Sequence, residues 1–330
     1  MDLSTRYLGL DLPHPLMTGA SPLVDRLDLV KRLEDAGTAA ITMHSLFEEQ
    51  IAMEQRATIH HMESHAESFA EALSFFPNPE DYNLGPEEYL EQIRRIKAMV
   101  DVPVIASLNG SSGRGWVDYA KMMEQAGANA IELNVYFVAT DLDEPGTTIE
   151  DRVLAIARSV KEAVSVPIAV KLSPYFSSVA NIAKRLDGIG VQGIVLFNRF
   201  YQPDIDVEAL EVAPRLRLSD PSELLLRVRW LALLAGRVKT DLCCSGGVHS
   251  GLDVIKALMA GAQGIQLVST LLHHGPDQLA KIRQEVVRWM EDHEYESVKQ
   301  MIGSMSLLRC PDPAAFERAN YTRILQTWRV

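Results

Sequence analysis

Short apolar runs alternate along the chain with segments of helical spacing. The runs are Pro15 to Thr18, Ala39 to Met43, Val102 to Leu108, Ala130 to Val135, Val166 to Leu172, Gly193 to Phe197, Asp241 to Cys244 and Gly264 to Val268. They are continuously apolar rather than alternating, which suits parallel strands covered on both faces. Between them, segments such as Val24 to Ala36 and Trp116 to Ala126 place apolar residues at helical intervals. Around Tyr7 to Leu12 the pattern predicts an N-terminal hairpin.

A recurring phrase orders these pieces. Asp35-Ala36-Gly37, Gln125-Ala126-Gly127 and Met259-Ala260-Gly261 each close a helical segment a few residues before an apolar run. Glycine is the expected left-handed cap there, because it has no Cβ to strain. Eight strand-helix units without a break in composition predict an α/β fold of the TIM (β/α)8 type, with residues 1–330 forming one domain. A doubly wound open sheet is the alternative, weakened by the lack of a G-x-G-x-x-G run after the first strand. Two segments stand outside the repeat, Gln50 to Pro86 and Gln202 to Pro221. Both would leave from the C-terminal mouth of a barrel as long, lid-like loops. Residues 303–330 form a C-terminal extension whose Phe316, Tyr321 and Trp328 are expected to dock on the barrel rather than on a subunit partner.

Composition narrows the partners. The chain has 330 residues, 47% of them hydrophobic, with 32 Lys+Arg against 44 Asp+Glu and a net charge of −12. That charge repels polyphosphate and argues against nucleic acid. No apolar run reaches a membrane-spanning length and no signal-peptide core opens the chain, so a cytoplasmic location without a membrane anchor is expected. Cys243, Cys244 and Cys310 have no metal or redox spacing and read as reduced thiols in packing positions. His61 and His65 could share a helix face beside His60, but a solvated surface explains them better, and no metal site is expected.

The sharpest chemical signal is Ser245-Gly246-Gly247 at the end of the seventh strand, followed by Ser269-Thr270 at the end of the eighth. Paired glycines let backbone N–H groups approach an anion, and barrels commonly bind phosphate after these two strands. Lys171 lies in an otherwise apolar strand, where its charge must be paired or used. Asn134 and Asn198 occupy similar strand ends, and each offers a donor and an acceptor suited to a heterocycle edge.

Together with His14-Pro15-Leu16-Met17, Ala20-Ser21, Glu132-Leu133-Asn134 and Val170-Lys171-Leu172-Ser173-Pro174, these residues resemble the dihydroorotate dehydrogenase family from about residue 3 to residue 300. The resemblance, closer to the soluble class, implies a barrel that holds FMN at its mouth and oxidises dihydroorotate or a related small carbonyl compound in pyrimidine metabolism. It implies that Ala20 and Ser21 touch the flavin through backbone groups and that Asn134 meets the isoalloxazine. Lys171 would face the flavin's pyrimidine edge and tune the hydride step. Gly246, Gly247, Ser269 and Thr270 would cradle the phosphate, and Asn83 and Asn198 would grip substrate. A homodimer and a separate redox partner are both compatible with it.

The departures are equally specific. Where the family carries a catalytic Cys or Ser after the fourth strand, this chain reads Asn134-Val135-Tyr136-Phe137-Val138-Ala139, and Phe137 stands in the base position. A phenyl ring cannot accept a proton. Ala139 replaces an asparagine that grips substrate, and Met43 replaces a strand-two lysine. Arg215 or Arg217 stands where the family has phosphate-side glycines. Tyr136 and His44 are the candidate replacements for the proton step, although Tyr136 reads as easily as a packing aromatic. Two alternatives remain at this level: a barrel that binds FMN or another phosphate ligand without turnover, as an interaction or regulatory subunit, and a Schiff-base enzyme using Lys171.

Overall fold

The apolar runs pair edge to edge. In the computed structural model, which describes residues 1–48, 86–110, 115–135, 138–199, 202–213, 216–316 and 318–327, eight strands close into a parallel barrel. They are β3 (Leu16–Thr18), β4 (Ile41–Phe47), β5 (Val104–Gly110), β6 (Ala130–Val135), β7 (Ile168–Leu172), β8 (Gly193–Leu196), β11 (Asp241–Ser245) and β12 (Gly264–Leu267). The last strand returns to the first, with Gln266 opposite Met17, and completes the ring. Around it lie α1 (Leu27–Asp35), α2 (Pro86–Met99), α3 (Trp116–Gln125), α4 (Gly146–Ala163), α5 (Val179–Ile189), α6 (Leu224–Leu234), α7 (Gly251–Ala260), α8 (Ser269–His274) and α9 (Gln278–Asp292). The fold is the expected TIM barrel. Gly37, Gly127 and Gly261 follow their helices at φ of +84°, +99° and +126°, conformations in which an L side chain is strained.

The N-terminal hairpin decides which end of the barrel stays open. β1 (Thr5–Tyr7) and β2 (Leu10–Leu12) pair antiparallel, and Tyr7, Leu8 and Leu12 pack with Met17, Ile105, Ala169, Val195 and Cys243 as an inner core. A Cβ on Gly193 would lie 2.4 Å from Leu8 Cδ2, so that strand position must be bare for the plug to enter. Asp241 Oδ2 accepts the Leu8 N–H at 2.9 Å. A second, larger core fills the space between barrel and helices.

β4 departs from the pattern in a useful way. It runs four residues beyond the apolar run that ends at Met43, and its pairing with β5 shifts register between Thr42 and Ser45. Such a bulge re-aims side chains. Met43 is fully buried in the outer core, whereas both His44 and Ser45 line the cavity at the mouth.

The segment after β8 forms a small hairpin of β9 (Asp204–Asp206) and β10 (Glu211–Ala213), and Leu216, Leu218 and Ser219 then return along the mouth. The long segment after β4 lies outside the described residues. Past α10 (Val298–Met301), the extension starts on the barrel: the N–H groups of Gly303, Met305 and Leu307 bond to carbonyls of Leu258, Met259 and Ala232. Phe316 packs against the outer core, but Tyr321 on α11 (Ala319–Thr327), a helix with no buried residue among those described, is 64% exposed. Trp328 lies outside the described residues. Among the described residues no helix is long and apolar enough to cross a membrane.

Candidate functional site

At the C-terminal mouth the barrel opens into a cavity of about 690 Å³. Its floor is polar although its strands are apolar. Asn109, Asn134 and Lys171 stand in one register row across β5, β6 and β7. Two residues before Asn134 on the same face is Glu132, and across the ring β12 contributes Gln266.

Lys171, Glu132 and Gln266 form a closed buried triad. Lys171 Nζ donates to Glu132 Oε1 at 3.2 Å and to Gln266 Oε1 at 3.1 Å, and Gln266 Nε2 donates to Glu132 Oε2. All three residues are nearly inaccessible. A buried ion pair is tolerated when remaining lone pairs and protons are satisfied, and here both carboxylate oxygens are. One of the three ammonium protons remains uncommitted among the described residues.

Asn134 complements it. Its Nδ2 donates to Ser45 Oγ at 2.8 Å and to Ser107 Oγ at 2.9 Å, and those two hydroxyls lie 2.9 Å apart. Both amide protons are therefore engaged, while Oδ1 is buried without a partner among the described residues. Such an acceptor costs on the order of 1–3 kcal/mol unless a ligand N–H meets it. Tyr89 holds the row together: its hydroxyl accepts the Ser107 N–H and donates toward the carbonyls of His44 and Ser107.

Gly246 and Gly247 form the far wall, at φ of +93° and +80°. A Cβ on Gly246 would come within 2.9 Å of the Arg227 guanidinium, and one on Gly247 within 2.4 Å of the Leu224 nitrogen. Arg227 Nε donates to the Ser245 carbonyl at 3.0 Å, and burial pulls its guanidinium below the usual arginine range. Ser219 threads this wall: its Oγ accepts the Gly247 N–H and sits 2.8 Å from Ser269 Oγ, which in turn accepts the Ser219 N–H. Beside it, Arg199 pairs with Glu223 at 2.5 Å.

Ala20, Ser21, Asn134, Lys171, Asn198, Gly246, Gly247 and Ser269 thus meet around one cavity. Thr270 stands behind it, fully buried, with its hydroxyl unpartnered. Asn83, Tyr136, Phe137, Arg215 and the histidines at 60, 61 and 65 lie outside the described residues. Arg217 is exposed and pairs with Asp220, so the guanidinium beside the glycine wall is Arg227 instead. Cys243 and Cys244 are wholly buried, and desolvation raises both thiols, Cys244 to about 12. Sequence reasoning missed Arg227, Ser219, Ser45, Ser107 and Asp25 as site residues. It also passed over Glu132 and Gln266, which carry the same signal that singled out Lys171, a polar side chain in an apolar strand.

The donor set fits a flavin mononucleotide. A planar heterocycle with N–H and carbonyl edges matches the open Asn134 acceptor and the spare Lys171 donor, and the buried Ser21 Oγ also lacks a partner among the described residues. The glycines are bare because Arg227 and the start of α6 fill the space a Cβ would need, which brings the Arg227 guanidinium, a partner suited to a phosphate, against the cavity wall. The cavity lies within the range of cofactor sites.

A parallel eight-stranded barrel with a polar floor and a glycine wall at its mouth defines a class of ligand-binding α/β barrel. Within it, the sequence model of the family described as dihydroorotate dehydrogenase matches residues 81–290, and the chain belongs to that family. It is 26% identical over 313 residues to the protein of Methanocaldococcus jannaschii named dihydroorotate dehydrogenase B (NAD(+)), catalytic subunit, covering 91% of this chain and 97% of that one. The protein of the same name from Thermoplasma acidophilum is 27% identical over 314 residues, covering 92% and 98%. That from Geobacter sp. is 29% identical over 240 residues, covering 68% and 75%.

Proposed function

We propose that the chain is an FMN-dependent oxidoreductase that oxidises a CH–CH bond in dihydroorotate or a related small carbonyl-bearing ring, and that residues 1–330 act as one FMN-binding unit. FMN, when bound, supplies the acceptor for a hydride. The observation that carries the reading is the pairing of a buried lysine donor with the unsatisfied Oδ1 of Asn134 on one barrel floor.

Lys171 would hold positive charge where negative charge develops on reduction, already oriented by Glu132 and Gln266 and so with little reorganisation. Asn134 would fix the heterocycle's orientation through Oδ1, with Ala20 and Ser21 against it. Arg227 and the Gly246-Gly247 backbone would hold the phosphate, with Ser269 and Thr270 behind. Asn198 would present its amide to substrate, as would Asn83. The relatives' names describe catalytic subunits, which supports a separate partner subunit, a redox protein on this reading.

Purified protein is expected to show a flavin visible spectrum and to release about one FMN per chain on denaturation. Anaerobic dihydroorotate should bleach that spectrum. A colourless protein that takes up no FMN sinks the reading, and a flavoprotein that millimolar dihydroorotate leaves oxidised removes dihydroorotate as the substrate.

A further inference from the structure

By the resemblance, Phe137 stands where the family carries its proton acceptor, and the barrel mouth carries another basic group. His44 follows Met43 on β4, directly before the Ser45 that Asn134 holds, and the bulge turns it to the cavity. Its Nδ1 lies 2.6 Å from Asp25 Oδ1, with side chains 18% and 20% exposed. The two atoms lie within hydrogen-bond distance without forming a hydrogen bond, and catalytic pairs often align only once substrate is seated. Tyr89 braces the ring edge-to-face, with centroids 5.1 Å apart at 80°, and bonds to the His44 carbonyl.

We propose that His44 is the residue that takes the proton from the substrate carbon beside the carbonyl, with Asp25 as its positioning residue. The proposal deepens the carbonyl-substrate reading above and rests on it. Asp25 favours a proton on Nδ1, which leaves the Nε2 lone pair as the acceptor. In the step, the C–H bond breaks, its electron pair forms the carbon–carbon double bond of an enolate, and the carbonyl π pair moves to oxygen. The proton goes to Nε2, which becomes imidazolium and pairs with Asp25. The reverse step returns a proton exchanged with solvent, so the half-reaction is complete without a redox change.

Among the described residues, the titratable groups facing His44 are Asp25, from the turn before α1, and the Tyr89 phenol, from α2; the Lys171–Glu132 pair stands deeper in the barrel. Burial raises the Tyr89 phenol well above its usual value, so it stays neutral. The pair is therefore one acid beside one base.

The experiment follows, by proton NMR in deuterated buffer, washout of the dihydroorotate hydrogens beside the ring carbonyl, using the full chain and quantifying FMN released from each sample. Wild type is expected to exchange them. His44→Gln should slow exchange by about 100-fold or more. Asp25→Asn should fall between the two, and added imidazole should restore exchange to His44→Ala. Unchanged FMN content across the variants separates this result from a folding defect. Exchange at the wild-type rate in His44→Gln, or none in wild type, overturns the proposal. Protein that exchanges through His44 yet holds no FMN keeps it and sinks the flavin reading instead.

Discussion

Lys171 and Glu132 illustrate how one residue's role is set by another's burial. Neither is more than marginally accessible, and each is the other's counter-ion. Removing the lysine leaves a buried carboxylate whose remaining hydrogen-bond donor among the described residues is Gln266. Lys171→Met is accordingly expected to cost about 3–5 kcal/mol, most of it the cost of the stranded charge. The double variant Lys171→Met with Glu132→Gln should recover much of that loss. Urea unfolding of the four proteins measures the coupling, and additive effects would show that the two side chains do not depend on each other. On the proposed function, flavin reduction should remain impaired in the double variant even where stability returns, because the positive charge proposed to assist it is gone.

Elements place those residues, and some placements are readable from sequence while others are not. The glycines after α1, α3 and α7 announce helix ends because a left-handed backbone has one inexpensive occupant, so the βα rhythm is legible locally. β4 is not. Its apolar run stops at Met43, and nothing in the run says that the strand continues through His44 and Ser45 with a bulge that sends both to the cavity. Lys171 was legible as a charge in an apolar strand, but its partners lie 39 and 95 residues away and meet it only when the barrel closes. The glycine wall was legible as a motif, while its dependence on α6 was not. That dependence is testable. Gly247→Ala would add a Cβ at positive φ and 2.4 Å from the Leu224 nitrogen at the start of α6, a backbone atom that cannot swing aside. A loss of about 2 kcal/mol or more is expected in urea unfolding, with weakened FMN uptake. Stability and uptake equal to wild type would mean that the wall yields more easily than its contacts imply.

At the scale of the whole molecule, closure of the ring depends on the seam where β12 meets β3, and His14 sits beside it. Its Nε2 lies 2.7 Å from the Gly37 carbonyl, and its Nδ1 accepts the Leu16 N–H at 3.3 Å. The ring thus donates at one nitrogen and accepts at the other, so it is neutral. Arg283 on α9 lies 3.3 Å from Nε2. Burial first, and Arg283 second, lower the His14 value to about 4, against the opposing effect of the Gly37 carbonyl. An unfolded histidine titrates near 6.5, so between about 6.5 and 4 the unfolded chain takes up a proton that the folded one refuses. The stabilisation is complete above pH 6.5 and lost progressively as pH falls toward 4, by about 3 kcal/mol in all. Protonation would also give Nδ1 a hydrogen facing the Leu16 N–H, which opposes the pairing that seats the first barrel strand. His14→Gln should therefore be less stable than wild type at pH 7.5 but lose less on acidification to pH 4.5, narrowing the gap. Urea midpoints at the two pH values measure the difference, in which the other carboxylates and histidines largely cancel. A gap that stays constant or widens toward pH 4.5 would remove His14 as the acid-sensitive point of the seam.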